Sequence, residues 1–338
     1  MPLNELNIIA DIGGTNMRVA QVDARGNIAD ITIYACAEHE SLSVVLTDFM
    51  TKHQLIGKKV NACLAIACPV DKDLIVMTNL PWQFSQSQLK AQLSLNELIL
   101  INDFTAIAHS IPHLGANQKV QIGIGEVLAN KPISICGAGT GLGVANLIPV
   151  DTNWHSLSGE GGHVDFAPVD EQEIAILQFL SKKYARVSSE QLLSGLGIEQ
   201  IYQALSFVKN GEATVLPAKE ITEKALANDC SLCIETLAQF CRILGSFAGN
   251  LALTLGSYGG VYIAGGIVPR FIEFFSNSEF RKRFEAKGRL SSFNQPIPTF
   301  VVTEEQPGLL GASAYLKQFI SQQNQANTIN QTTNTMNY

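Results

Sequence analysis

Short apolar runs alternate along this chain with segments whose apolar positions recur at helical spacing. Strand-like runs fall at Asn7–Ala10, Arg18–Val22, Ile31–Tyr34, Cys63–Ala67, Leu98–Ile101, Ile133–Cys136, Val144–Ile148, Val261–Ala264 and Thr299–Val302. Helical spacing predicts helices over Leu42–Lys52, Ser85–Leu93, Phe104–Ser110, Asp170–Tyr184, Ser188–Leu193, Ile198–Leu205, Ala218–Asn228, Leu232–Leu255 and Leu309–Phe319. Alternation of the two periods is the pattern of an α/β architecture. The Asp170 segment opens with a capping-box pattern, with Glu173 three residues on, and Ile174, Leu177 and Tyr184 then share one face.

One larger echo stands out. Asn7–Ala10 runs into Asp11-Ile12-Gly13-Gly14-Thr15-Asn16 and a second strand; Ile133–Cys136, 126 positions later, runs into Gly137-Ala138-Gly139-Thr140-Gly141-Leu142-Gly143 and a second strand. The repetition predicts two α/β halves of related build, each offering a glycine turn.

Composition narrows the class. At 338 residues, 46% hydrophobic and 16% charged, the chain has material for about two packed domains and is not mainly disordered. A net charge of −7 with 23 Lys+Arg excludes a basic nucleic-acid surface as its main business. The longest apolar stretches, Val60–Val70 and Val261–Val268, fall short of the roughly 20 residues of a membrane span, so no membrane partner is expected. Met1–Asn7 has no basic region or cleavable apolar stretch. Seven scattered cysteines fit reduced thiols in a soluble cytoplasmic protein. The Cys230-Ser231-Leu232-Cys233 pair lies in a helical run and reads as packing. From Ser321 to Tyr338, 14 of 18 residues are Ser, Thr, Asn or Gln and none is charged, so this tail is expected to be flexible.

The glycine turns can aim several backbone N–H groups at one anion, and Thr15 and Thr140 can add hydroxyl donors. Neither turn fits the Walker pattern or the dinucleotide fingerprint. Asp11, ending its strand, is placed to orient water around Mg²⁺, which prefers oxygen ligands and keeps several waters. A third cluster places a buried strand between Gly259-Gly260 and Gly265-Gly266, and the second pair would let a flat ring lie against the backbone. Ordinary turns explain the first two equally well in isolation, and a plain strand with two turns explains the third better.

The carboxylates are similarly two-sided. Asn102-Asp103 ends a buried strand, where ligands of α/β sheets bind, yet Asp103 in that place also reads as the N-cap of the following helix. Glu160 and His163 share a loop with three glycines; the pair suits hydroxyl recognition, lacks zinc-ligand spacing, and would serve a plain solvated loop as well. Glu190 lies in a capping-box pattern, Ser188-Ser189-Glu190-Gln191, where a helix dipole would favour its ionised form.

Taken together these elements resemble the bacterial glucokinases of the hexokinase/actin-like ATPase superfamily, from about Asn7 to Phe319. The motifs are Ala10–Asn16, Ala65–Pro69, Met77-Thr78-Asn79, Ile101–Ala106, Gly137–Gly143, Gly159–Phe166, Leu193-Ser194-Gly195, Gly259–Arg270 and Pro307–Gly311. Their order and spacing, more than any one of them, carry the resemblance. It implies an α/β, two-domain actin-like ATPase (ribonuclease H-like) architecture with an interdomain cleft. The smaller domain would comprise residues 1–113 plus 304–320 and the larger 114–303. It also implies ATP and Mg²⁺ as co-substrate and cofactor, D-glucose as acceptor, and a homodimer. Under the resemblance Ala10, Asp11, Ile12, Gly13, Gly14, Thr15, Gly139, Thr140, Gly265 and Gly266 serve the nucleotide, and Asp11 holds Mg²⁺ through water. Asp103 is the catalytic base toward the 6-hydroxyl; Asn102, Asp103, Glu160, His163 and Glu190 bind the sugar.

Overall fold

The computed structural model describes residues 6–335 except 24, 78 and 79, so part of the Met77-Thr78-Asn79 element, like the first five residues, lies outside the described residues. The chain divides into two compact units, residues 1–114 with 305–338, and residues 115–304.

In the first unit, β1 (Leu6–Ile12), β2 (Asn16–Val22), β3 (Ile28–Ala35), β4 (Val60–Ile66) and β7 (Glu97–Asn102) form one sheet ordered β3-β2-β1-β4-β7. The first three strands are an antiparallel meander, while β1, β4 and β7 run parallel. All seven residues of β4 are buried, as a central strand covered on both faces requires. Alternate residues of β1 and β4 feed two cores: Ile8, Ala10, Ala62 and Leu64 pack on one face, Ile9, Cys63 and Ala65 on the other. The first face is covered by α1 (Leu42–Lys52), whose Leu42, Val45, Leu46, Phe49 and Met50 are buried at helical spacing. Ser41 caps it, accepting from the Val44 N–H. A small hairpin, β5 (Leu74–Val76) with β6 (Gln83–Ser85), precedes α2 (Gln86–Gln92), and α3 (Asp103–Ser110) follows β7 directly.

The second unit repeats the plan. Its sheet is ordered β11-β10-β9-β12-β13-β8, from β8 (Lys119–Ile122), β9 (Ile133–Ala138), β10 (Leu142–Val150), β11 (Asn153–Ser158), β12 (Val261–Ala264) and β13 (Thr299–Val302). Again an antiparallel meander, β9 to β11, is extended by parallel strands, β12 and β13. The echo of strand, glycine turn and strand is thus an echo of topology. Helices α4 (Glu171–Leu180), α5 (Gly195–Asn210), α6 (Ala218–Leu226) and α7 (Ser231–Leu255) supply most of the core here, with the short α8 (Ile272–Ser276), α9 (Phe280–Glu285) and α10 (Ser291–Asn294). The buried carboxylate of Glu173 receives Arg283 Nη2 at 2.6 Å and Gln239 Nε2 at 3.0 Å, the pairing a buried charge requires. Cys230 caps α7, its Sγ accepting from the Cys233 N–H. All seven cysteines are free.

The last helix, α11 (Pro307–Thr335), returns to the first unit, where Leu309, Ala312 and Leu316 complete the core beside Ile101 and Ala106. It continues past Phe319 to Thr335, so the polar tail is helical as far as it is described, although Ser321–Ala326 are exposed except for half-buried Gln322. Extending a docked helix costs far less than nucleating one, so a segment with little to bury can follow its stem.

Two readings need correction. Ser188–Leu193 is not a helix but consecutive tight turns, held by distant partners: the Ser189 N–H donates to Val164 O and that of Glu190 to Gly162 O. Its capping pattern is half made, the Ser188 N–H donating to Gln191 Oε1; the next helix, α5, starts only at Gly195, with Ser194 as its cap. On α4 the buried positions are Glu173, Ile176 and Leu180; Ile174 is exposed, and the helix ends before Tyr184.

Candidate active site

In the first unit the parallel ladder brings three strand ends level, Ile12 beside Ile66 and Ile66 beside Asn102. The glycine turn and Asp103 therefore leave the same edge of the sheet, the carboxyl edge where α/β proteins bind ligands. The turn closes with the Gly13 N–H donating to Asn16 O at 3.1 Å, and Gly14 and Thr15 are exposed while Ala10 and Ile12 are buried. Asp11 stands opposite Arg18 across the β1–β2 ladder. Burial raises the Asp11 carboxyl above the usual range, and the Arg18 charge opposes that rise.

The cap of α3 is Asn102 rather than Asp103: Asn102 Oδ1 accepts from the N–H groups of Phe104 (2.9 Å) and Thr105 (3.4 Å). Asp103 is the first helical residue, and its Oδ1 also accepts from the Phe104 N–H at 2.9 Å. Burial pushes the Asp103 carboxyl up to about 6; the Asp11 charge adds to this, while hydrogen bonds from Phe104 N–H and the Asn102 amide hold it back. A carboxyl so placed is mostly ionised at neutral pH yet basic enough to accept a proton.

Gly308, in the first turn of α11, joins the site through packing: a Cβ there would lie 2.6 Å from Cγ of Asp11. The N-terminus of this helix thus abuts the carboxylate, an end whose dipole favours negative charge. Glycine within the Pro307–Gly311 motif was the available signal; its partner was not visible locally.

In the second unit the turn Gly139-Thr140-Gly141 joins β9 to β10, with Thr140 exposed. The Gly195 N–H donates to Gly139 O at 2.9 Å, which ties the turn to the start of α5. Gly265 follows β12 at φ +82°, a conformation that favours glycine, and Gly266 is exposed with open space where a side chain would stand. Glu190 reaches this turn from the other side: its Oε2 accepts from the Leu142 N–H at 2.9 Å, and its Oε1 lies 3.7 Å from His163 Nε2. Glu160 begins the same short turn as His163, its carbonyl accepting the His163 N–H at 3.0 Å, and its side chain is exposed. Glu190, His163 and Glu160 are thereby gathered in this unit, and Asn102, Asp103 and Asp11 in the other. Among the described residues no group of three or more His, Cys, Asp or Glu is placed to hold a metal, and no helix is long and apolar enough to cross a membrane.

The repeated sheet and the paired glycine turns define an actin-like ATPase fold as the sugar kinases use it. A structure of a glucokinase from an Antarctic psychrotroph matches with a TM-score of 0.86 at 38% identity, covering 94% of this chain and all of that one (100%). A glucokinase from Balamuthia mandrillaris, at 20% identity and a TM-score of 0.73 over 93% of this chain and 94% of that one, shares the fold. A family model described as Glucokinase matches residues 8–319, and the glucokinase of Colwellia psychrerythraea is 58% identical over 318 residues, 93% of this chain and 96% of the relative. The chain belongs to the glucokinase family.

Proposed function

We propose that the protein transfers the γ-phosphoryl group of ATP to the 6-hydroxyl of D-glucose, yielding glucose 6-phosphate. The observation that carries this reading is Asp103, a carboxyl at a strand end whose burial sets it near 6, beside an Asn that has taken over the duty of helix cap. In this mechanism Asp103 accepts the proton of the attacking hydroxyl, an effect typically worth about 10²–10⁴ in rate. Asn102, Glu160, His163 and Glu190 orient the sugar through hydrogen bonds, those to carboxylates being charge-assisted. The turn at Gly13, Gly14 and Thr15 and that at Gly139 and Thr140 offer N–H and hydroxyl donors to the phosphates, and Gly265-Gly266 leaves room for the adenosine. Phosphoryl transfer asks little more of a protein than this positioning and charge stabilisation.

Asp11 is the residue that would hold Mg²⁺, through water. Asp11 is half-buried, and among the described residues no group of three or more His, Cys, Asp or Glu gathers to hold a metal, which fits an ion that keeps most of its waters and takes phosphate oxygens. When bound, Mg²⁺ neutralises charge on the phosphates. The rest of the reading, a cytoplasmic homodimer acting at the first step of glycolysis, rests on the family.

A coupled assay with MgATP across a panel of hexoses tests the activity. Glucose should give the highest kcat/KM; binding of glucose without turnover by any nucleotide would mark a sugar sensor instead.

A further inference from the structure

The glycine turn assigned to phosphate and the carboxylate assigned to sugar are in direct contact. Glu190 is fixed at its backbone, its N–H donating to Gly162 O at 2.9 Å, so only its side chain is free to choose a direction. That direction is set by the β9–β10 hairpin. The Leu142 N–H holds Oε2 at 2.9 Å, and a Cβ on Gly141 would stand 2.5 Å from the same oxygen and 3.2 Å from Cδ. Gly141 does not adopt the left-handed backbone that favours glycine, so the turn itself does not demand glycine there. What the missing side chain makes room for is the Glu190 carboxylate. With Oε2 held, Oε1 is left on the side of His163, 3.7 Å away.

We propose that Gly141 is a positioning residue for sugar recognition: by lacking a side chain it lets the hairpin turn grip Glu190 and aim its second oxygen. This rests on the glucokinase reading and deepens it. The same contact makes the turn a mechanical link. A nucleotide that orders the turn also orders Glu190, so nucleotide tightens glucose binding, and by linkage glucose tightens nucleotide binding by the same factor.

The test compares wild type, Gly141→Ala, Glu190→Ala and the double variant. The first readout needs no sugar: amide hydrogen exchange at Leu142, followed by NMR, should accelerate at least fivefold in Gly141→Ala as in Glu190→Ala. The second is glucose affinity by calorimetry without nucleotide and with a non-hydrolysable ATP analogue. Gly141→Ala should weaken glucose binding at least fivefold and reduce the enhancement by the analogue. In the Glu190→Ala background it should add less than twofold, because the group it displaces is already gone. Unchanged exchange at Leu142 in Gly141→Ala, or full additivity of the two substitutions, overturns the positioning role. Faster exchange in both variants with glucose affinity untouched leaves the grip on Glu190 standing and refutes its part in sugar binding.

Discussion

Asn102 caps the helix that Asp103 begins. Its Oδ1 meets the Phe104 N–H at 2.9 Å, the bond a lone capping Asp would otherwise supply. Under the proposed mechanism Asn102 carries the structural duty and Asp103 the chemical one, and that division can be tested.

Asp103→Asn should leave the fold intact, because the cap remains and an amide oxygen can still accept from Phe104. The melting temperature should stay within about 4 °C, in line with a change of at most ~1 kcal/mol. Glucose phosphorylation should fall by at least about a hundredfold, since an amide is no base. Calorimetric glucose affinity should survive within about tenfold. Turnover near the wild-type rate would end the general-base assignment.

The pH dependence follows from the raised carboxyl. With a folded value of about 6 against about 3.9 unfolded, Asp103 binds more protons in the folded state between those limits. Its contribution to stability therefore declines as pH rises from about 4 to 6 and is constant above. Activity runs the other way: kcat/KM for glucose should drop tenfold per unit below about pH 6, where the base is protonated. A profile flat down to pH 4.5 would contradict the assignment.

Glu160→Gln should raise the KM for glucose several-fold, the loss of one charge-assisted hydrogen bond worth about 1.5–3 kcal/mol at most. The KM for ATP should change less than twofold. Steady-state kinetics with each substrate varied decides this, and equal weakening of both would remove Glu160 from the sugar set.

Gly311→Ala probes the packing that backs Asp103. A Cβ there would sit 1.6 Å from the Ala106 carbonyl oxygen, within the backbone of α3. Either helix must shift, at a cost of about 3 kcal/mol. Calorimetry should show a melting temperature lowered by roughly 6–12 °C.

Truncation after Ile320 should shift the melting temperature by no more than about 2 °C, because Ser321–Ala326 bury almost nothing. A larger fall would show that the polar extension of α11 docks.

What was legible in the sequence was whatever repeats one period within one element. The run Cys63–Ala67 finds most of β4, Val60–Ile66, because its residues are uniformly apolar, while polar Asn61 hides the start; α1 reads as a helix because its apolar positions return every three or four residues. Ser188–Leu193 misled because its capping pattern and paired leucines imitate a helix start, while its fold is dictated by Gly162 and Val164, well outside any local window. The helices between Ile272 and Asn294 span only four to six residues each, too few for a period to register. At the site, the chemical types of Asp11, Asp103, Glu160, His163 and Glu190 could be read directly. The glycines that fit against two of them, Gly308 at Asp11 and Gly141 at Glu190, could not be paired with their carboxylates, because closeness in space between distant positions leaves no local trace.

The return of α11 to the first unit also fixes an order of events on the ribosome. The face of the sheet that carries Ile9, Cys63 and Ala65 is finished only by Leu309, Ala312 and Leu316. Between the emergence of α3 and that of α11 the whole second unit is synthesised, an interval of roughly 10–40 s at about 5–20 residues per second. The second unit, continuous from residue 115 to 304, can fold as it appears, whereas the first must wait with one flank bare. The flank beside α3 is thus finished last, and a nascent chain stalled before Leu316 carries every residue assigned to the chemistry without the completed core next to Asp103.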